Sequence, residues 1–212
     1  MAPLSPYEFE NETEIIQNLS KSRAKISRWF DHRINTLEEF AQSGVAGNTF
    51  RAFRNLPKRP SVIYKNWALK ELNKTDFANQ VKRLNSQTAY DDWLAELSNR
   101  LRRTWKNEMG KNISYGASRK LPNLMTRRLV LWIGFTENQR NRLIGYLHVP
   151  LDSYTLVGIR NCVGLEIPKT ATMKFVADEI MYNEIQAAIK KVSKKANVPS
   201  IYFDALCWDM KH

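Results

Sequence analysis

The stretch TAYDDWLAELSNRLRRTWK, residues Thr88–Lys106, contains the clearest periodic pattern in this chain of 212 residues. Its large apolar side chains recur every four positions, which is the spacing of one helix face: Trp93, Leu97, Leu101 and Trp105. Basic side chains follow the other face, and Thr88 precedes Asp91 at the spacing of a helix N-terminal cap. The stretch therefore predicts a long amphipathic helix that begins near Thr88 and has a basic outer face.

Most other periodic segments also have helical spacing. Apolar residues step by three or four positions through residues 26–37 and again through residues 182–192. Alternation typical of a β-strand is weak, and the short apolar run 129–132 stands in a helical context. The predicted fold class is all-α, with residues 1–212 forming one globular domain, or two lobes that share a core.

Composition excludes several classes of protein. The chain is 43% hydrophobic and 11% aromatic, which excludes global disorder. No apolar run approaches the roughly 20 residues that a membrane span needs, and the first residues lack the pattern of a signal peptide. Two cysteines and three scattered histidines form neither a disulfide framework nor a zinc motif. We expect a cytoplasmic protein that needs no metal ion or cofactor.

The positive charge is concentrated in two segments. Of the formal net charge of +12, residues 51–83 and residues 100–142 together hold more than the whole surplus. A surface of this kind attracts a polyanion, most often nucleic acid, and a solvated or membrane-facing basic patch is the alternative. We expect phosphate contacts from the following residues: Arg102, Arg103, Lys106, Arg119, Arg127 and Arg128.

Two segments near the C-terminus place acidic residues at special positions. In HVPLDSY, Pro150 biases the residue before it to extended backbone, and Asp152 then falls where a helix N-cap belongs. In VPSIYFDALCW, Asp204 and Trp208 are four positions apart, so they share one face of a helix. Taken separately, these features are typical of an ordinary cap and a core tryptophan.

Together these motifs resemble the helix-hairpin-helix DNA glycosylases, and most closely the archaeal 8-oxoguanine glycosylase/lyase branch. In that branch Pro-Val-Asp opens a helix, and a proline-rich turn followed by Leu-Asp-x-x-Leu-Trp closes the lobe. The resemblance covers about residues 115–208. It implies a two-lobed helical fold with a helix-hairpin-helix-type DNA-binding element. It also implies excision of a flipped base, 8-oxoguanine in that branch, with associated AP-lyase activity.

The resemblance further implies a catalytic lysine at the end of the hairpin, about thirty residues before the aspartate. Lys120 lies 32 positions before Asp152, within GASRKLP, and Lys111 is a competing choice. A neutral amine attacks the sugar C1′, expels the base and forms a Schiff base that allows strand scission. We expect nearby arginines to favour the neutral amine, and Asp152 to stabilise positive charge on the sugar or assist deprotonation.

Base recognition is assigned by the resemblance to Trp208, which can stack, and Asp204, which can accept hydrogen bonds from a purine. Trp67 and Trp93 are candidates for the rest of the pocket. The expected partner is DNA, either a duplex with a flipped base or a single strand, bound by a nucleoid-associated monomer. Two alternatives remain open: a glycosylase-fold protein acting on hypermodified pyrimidines of phage DNA, and a non-catalytic helical DNA-binding protein in which Asp152 is only a cap.

Overall fold

The computed structural model of the chain describes residues 6–43, 45, 49–50, 53 and 58–209. Within these residues the chain forms ten α-helices and no β-strand, which confirms the all-α class. The helices are α1 (Glu12–Ser27), α2 (Leu37–Ser43), α3 (Pro60–Leu72), α4 (Phe77–Arg83), α5 (Gln87–Met109), α6 (Tyr115–Leu129), α7 (Glu137–Tyr146), α8 (Ser153–Ile159), α9 (Glu179–Lys195) and α10 (Tyr202–Asp209). Over the same residues, no helix combines the length and the apolar character that crossing a membrane requires.

Helix α5 is the amphipathic helix that the sequence predicts, and its four apolar side chains are buried as expected. It begins slightly earlier than predicted. Ser86 is the N-cap instead of Thr88, since the Ser86 hydroxyl accepts a hydrogen bond from the Ala89 N–H at 3.1 Å. Gly110 ends the helix with a φ of 66°, a left-handed conformation that favours glycine.

The apolar pattern of residues 26–37 predicts one helix, and this prediction is wrong. Helix α1 ends at Ser27, and the chain then pairs with the segment that follows α6. The Ile34 N–H donates to the Leu131 carbonyl at 2.9 Å, and the Ile133 N–H donates to the Ile34 carbonyl at 3.1 Å. These long-range hydrogen bonds replace the local bonds of a helix and fix the end of α1 beside the end of α6.

Helix α6 lies at the centre of the molecule, and most of its residues are buried. Its first turn packs so closely that a Cβ atom at Gly116 would lie 1.9 Å from the Met173 carbonyl oxygen. Residues 116–122, which the resemblance places at the end of a hairpin, lie inside this helix, and residues 110–114 join α5 to α6. Packing on every side therefore fixes the orientation of α6.

Two tryptophans considered for a base pocket belong to the core instead. Trp67 is 2% exposed and contacts the ring of Tyr64 at a centroid distance of 5.8 Å. Trp93 is 9% exposed and contacts the rings of Phe77 and Tyr90. Both belong to one hydrophobic cluster that extends through the described chain. Neither ring is available to stack on a base, so that expectation is corrected.

Candidate active site

Lys120 and Asp152 meet inside the molecule, although 32 positions separate them in the sequence. Lys120 Nζ lies 3.1 Å from Asp152 Oδ2, and the two residues are only 8% and 7% exposed. Lys120 belongs to the second turn of α6, and Asp152 immediately precedes α8. Removal of one member of a buried ion pair leaves the other charge uncompensated, so each group depends on its partner.

The two oxygens of the Asp152 carboxylate contact different groups, the start of α8 and the Lys120 amine. Oδ1 accepts hydrogen bonds from the N–H groups of Tyr154 at 3.0 Å and Thr155 at 3.2 Å. The Thr155 hydroxyl in turn accepts from the Asp152 N–H at 2.8 Å, which completes a capping box. The predicted N-cap is therefore confirmed. Because the cap uses Oδ1, it holds Oδ2 in a fixed direction towards Lys120.

Two of the arginines expected around Lys120 form ion pairs with other residues. Arg119 forms an ion pair with Glu179 at 3.0 Å, and Arg127 pairs with Asp204. The group facing the Lys120 amine is thus a carboxylate and not a cluster of arginines, because neighbouring helices supply acidic partners to α6. Lys111, the competing lysine, is exposed in the turn between α5 and α6.

A second ion pair, in which only the carboxylate is buried, lies about two turns further along α6 on the same face of the helix. Asp204 of α10 is 1% exposed and contacts the guanidinium of Arg127. Burial raises the pKa of Asp204 to about 6; Arg127 opposes this rise and Asp152 adds to it. Asp152 and Lys120 are therefore close enough to influence Asp204. The two pairs form one internal charge cluster.

We expect the stability of the protein to report the titration of Asp204. Between pH 6 and pH 4 the folded chain gains a proton that the unfolded chain lacks, because the pKa is about 6 when buried and 3.8 when exposed. The free energy of unfolding of the wild type should therefore rise, relative to Asp204→Asn, as pH falls through this range. Urea unfolding of both proteins measures the difference. A difference that does not change with pH would contradict the assignment.

A groove of about 250 Å³ opens beside this cluster. Its lining combines aromatic, aliphatic and cationic side chains: Trp29, Phe30, Arg127, Arg128 and Leu131. Trp29 is 42% exposed, which is unusual for a tryptophan outside an interface. Burial lowers the pKa of Arg128, Arg127 lowers it further, and Nε of Arg128 has no hydrogen-bond partner among the described residues. That Nε atom is itself buried, so the groove offers a stacking surface beside two guanidinium groups.

Trp29 was not predicted as a site residue, because the apolar spacing of residues 26–37 predicted a helix packed in the core. Trp29 lies off the stripe formed by Ile26 and Phe30, and that position is the signal that could have identified it. Arg127 lines the groove and contacts Asp204, so the groove is connected to the charge cluster.

Comparison with protein-family models, curated proteins and solved structures finds no match for this chain. No set of three histidine, cysteine or acidic side chains gathers into a metal site within the described part of the chain.

Trp208 lies on α10 with Asp204, as predicted, but the two side chains have different surroundings. The Trp208 ring is partly buried and stacks on Tyr154, with centroids 4.3 Å apart and planes inclined by 27°. Tyr154 follows Asp152 by two positions, so the stacked rings lie at the start of α8. Asp204 is directed to Arg127 instead. Trp29, which lines the groove, and Trp208, which stacks on Tyr154, therefore lie in separate environments.

The six predicted phosphate contacts divide into three kinds. Arg102, Arg103 and Lys106 are exposed on α5, and none of them forms an ion pair with a described residue. Arg128 lines the groove, and Arg127 combines the groove with its ion pair.

Arg119 differs from the other five because it is 7% exposed. Its guanidinium lies 5.5 Å from the ring centre of Tyr115 and 5.2 Å from that of Tyr182, and it also pairs with Glu179. A phosphate contact would require these interactions to break. Arg119 is therefore held by its neighbours and also lines an open pocket of about 310 Å³, and its contact with phosphate stays a prediction.

Proposed function

We propose that the protein is a DNA glycosylase of the helix-hairpin-helix type, which excises a flipped modified or damaged base and cleaves the strand as an AP lyase. The observation that carries the proposal is the buried contact of 3.1 Å between Lys120 Nζ and Asp152 Oδ2. In this proposal the Lys120 amine is the nucleophile, and the carboxylate within hydrogen-bond distance is its base. The adjoining groove and the exposed basic face of α5 supply the other two requirements, a base pocket and a phosphate-binding surface.

In the proposed reaction, Asp152 Oδ2 takes a proton from the Lys120 ammonium group, and the neutral amine attacks the sugar C1′. The N–C1′ bond forms as the glycosidic bond breaks. The departing base takes up the proton that Asp152 removed, which restores a carboxylate beside the positively charged sugar. The C1′–O4′ bond then opens as one proton of the adduct nitrogen moves to O4′, which leaves a protonated Schiff base. Loss of a C2′ proton expels the 3′ phosphate and cuts the strand.

The groove fits the base-binding step of this proposal. Trp29 provides an exposed ring on which a flipped base can stack, an interaction worth about 1–3 kcal/mol. Arg128 lines the same groove and brings a guanidinium group near an oxygen of the base, and Arg127 links the groove to Asp204. The resemblance indicates 8-oxoguanine. Two guanidinium groups also suit the added polar groups of a hypermodified phage pyrimidine, which is the second candidate substrate.

Oligonucleotides that carry a panel of damaged and hypermodified bases test the proposal. We expect the protein to release one class of free base, detected by mass spectrometry, and to leave a cut or abasic strand. The released base distinguishes repair from action on modified phage DNA. Binding to DNA without release of any base would support the non-catalytic alternative, in which Asp152 is only a helix cap.

We expect DNA affinity to depend steeply on salt through the exposed face of α5. Each neutralised phosphate contributes a slope of about −0.9 to the logarithm of affinity against the logarithm of salt concentration. Changing Arg102, Arg103 and Lys106 together to glutamine should reduce the slope by about 0.9 for each lost contact, without altering sequence preference. Fluorescence anisotropy with a duplex at several salt concentrations measures this.

A control variant for this experiment changes three exposed cations that lie outside the two basic segments: Lys21, Arg23 and Lys194. It removes the same charge and should keep the wild-type slope. Equal loss of slope in both variants would show that net charge, and not the face of α5, determines binding.

A further inference from the structure

The hydroxyl group of Tyr182 joins the two segments that carry the candidate catalytic groups. Tyr182 is 1% exposed and lies on α9. The Asn123 side-chain amide donates to the Tyr182 hydroxyl oxygen at 2.9 Å, and His148 Nδ1 lies 2.9 Å from the same oxygen. Asn123 is three positions after Lys120 on α6, and His148 is four positions before Asp152. One oxygen atom therefore connects the lysine helix with the aspartate segment.

The hydrogen-bond chain has a consistent direction. His148 Nε2 lies 3.0 Å from Asp91 Oδ1. Burial would raise the pKa of Asp91, but hydrogen bonds from His148 and Gln87 outweigh burial and lower it, so the carboxylate accepts. The Tyr182 hydroxyl accepts from the Asn123 amide and keeps its own proton to donate to His148 Nδ1, in the tautomer that carries its proton on Nε2. The Asn123 amide oxygen, at the far end of the chain, is buried and has no hydrogen-bond partner among the described residues.

Helix α9 also forms hydrogen bonds with the residue after His148. The Val149 N–H donates to Gln186 Oε1 at 3.1 Å, and Gln186 Nε2 donates to the Val149 carbonyl at 2.7 Å. Gln186 is 8% exposed and lies one turn after Tyr182. Two consecutive residues of the segment that leads to Asp152 are therefore fixed on α9 by three side-chain hydrogen bonds.

We propose that Tyr182 is a positioning residue whose hydroxyl sets the distance between Lys120 and Asp152. Burial raises the pKa of Tyr182, so the hydroxyl keeps its proton and acts through hydrogen bonds. Displacement of a reacting group by about 1 Å costs on the order of 10²-fold in rate. The consequence for rate rests on the function proposed above, whereas the consequence for the position of Lys120 does not.

The substitution Tyr182→Phe removes this one oxygen and keeps the ring. We expect kcat for base release to fall on the order of 10²-fold while KM stays at the wild-type value. The matched control is Tyr64→Phe, because the Tyr64 hydroxyl is also buried but has no hydrogen-bond partner among the described residues. Tyr64→Phe should keep the wild-type kcat. Wild-type kcat in Tyr182→Phe would overturn the proposal.

A second variant separates positioning from stability. Tyr182→Phe leaves the buried Asn123 amide without its acceptor, so the melting temperature should fall. The double variant Asn123→Leu/Tyr182→Phe also removes the buried Asn123 amide, so that only the part-buried His148 Nδ1 loses a partner and most of the stability should return. We expect the double variant to regain melting temperature and to keep the low kcat. Recovery of kcat together with melting temperature would show that Tyr182 is only structural.

A third measurement needs no catalysis. Reductive methylation of the DNA-free protein, read by peptide mass spectrometry, compares buried Lys120 with exposed Lys111. In Tyr182→Phe we expect the ratio of the Lys120 rate to the Lys111 rate to rise about tenfold, the change that loss of one ordinary hydrogen bond allows. An unchanged ratio would overturn the inference. If the wild type released no base, the proposed function alone would fail, and this ratio would still decide the inference.

Discussion

Lys120→Gln is expected to abolish strand cutting while DNA affinity stays close to that of the wild type. Glutamine has no nucleophilic amine, so no Schiff base can form and the 3′ phosphate is not expelled. Its side-chain amide still offers Asp152 a donor, which limits the damage to the buried pair. Gel analysis of strand cutting, with anisotropy for binding, measures both properties.

The matched control for this variant is Lys111→Gln, since Lys111 is exposed in the turn before α6 and makes no described contact with Asp152. It should cut as the wild type does. Loss of cutting in Lys111→Gln and its retention in Lys120→Gln would assign the nucleophile to Lys111.

Asp152→Asn is expected to slow base release by on the order of 10²–10³, the scale of losing one electrostatic stabiliser. Asparagine caps helices about as well as aspartate, so α8 should keep its first turn through the bonds from Tyr154 and Thr155. The side chain loses the charge that balances Lys120 and can no longer take up its proton. Single-turnover measurement of base release tests the effect.

Asp178→Asn provides the control for the capping function, because Asp178 caps α9 through the Met181 N–H at 2.9 Å. It should leave the rate of base release unchanged. A full rate in Asp152→Asn would reduce Asp152 to a cap and would favour the non-catalytic alternative.

The sequence predicted the helices that bury a single stripe of side chains. In α9 the residues Tyr182, Ile185, Ile189 and Val192 are buried as their spacing indicates. The same reasoning was wrong for residues 26–37, because hydrogen bonds from Ile34 to the chain after α6 replace the helix. Local periodicity cannot reveal a pairing between segments so far apart in the sequence.

The sequence predicts those parts of the site that depend on adjacent residues, and it cannot predict those that depend on the folded chain. Pro150 and Asp152 identify a cap from a few adjacent residues, and the cap is present. The exposure of Arg119 could not be predicted, because α6 is buried on nearly all sides and has no polar face that would mark an arginine as external. The groove beside Trp29 joins two segments that are far apart in the sequence, so only the folded chain brings its residues together.

Borohydride trapping during turnover tests the central proposal most directly. A Schiff base between enzyme and sugar is reducible. Borohydride should therefore cross-link the protein to the substrate oligonucleotide, at the sugar from which the base has been released. Peptide mapping should then place the adduct on Lys120, and Lys120→Gln should give none. Base release without an adduct on any lysine would contradict the lyase mechanism, leaving a monofunctional glycosylase in which Asp152 activates water and Lys120 holds a phosphate.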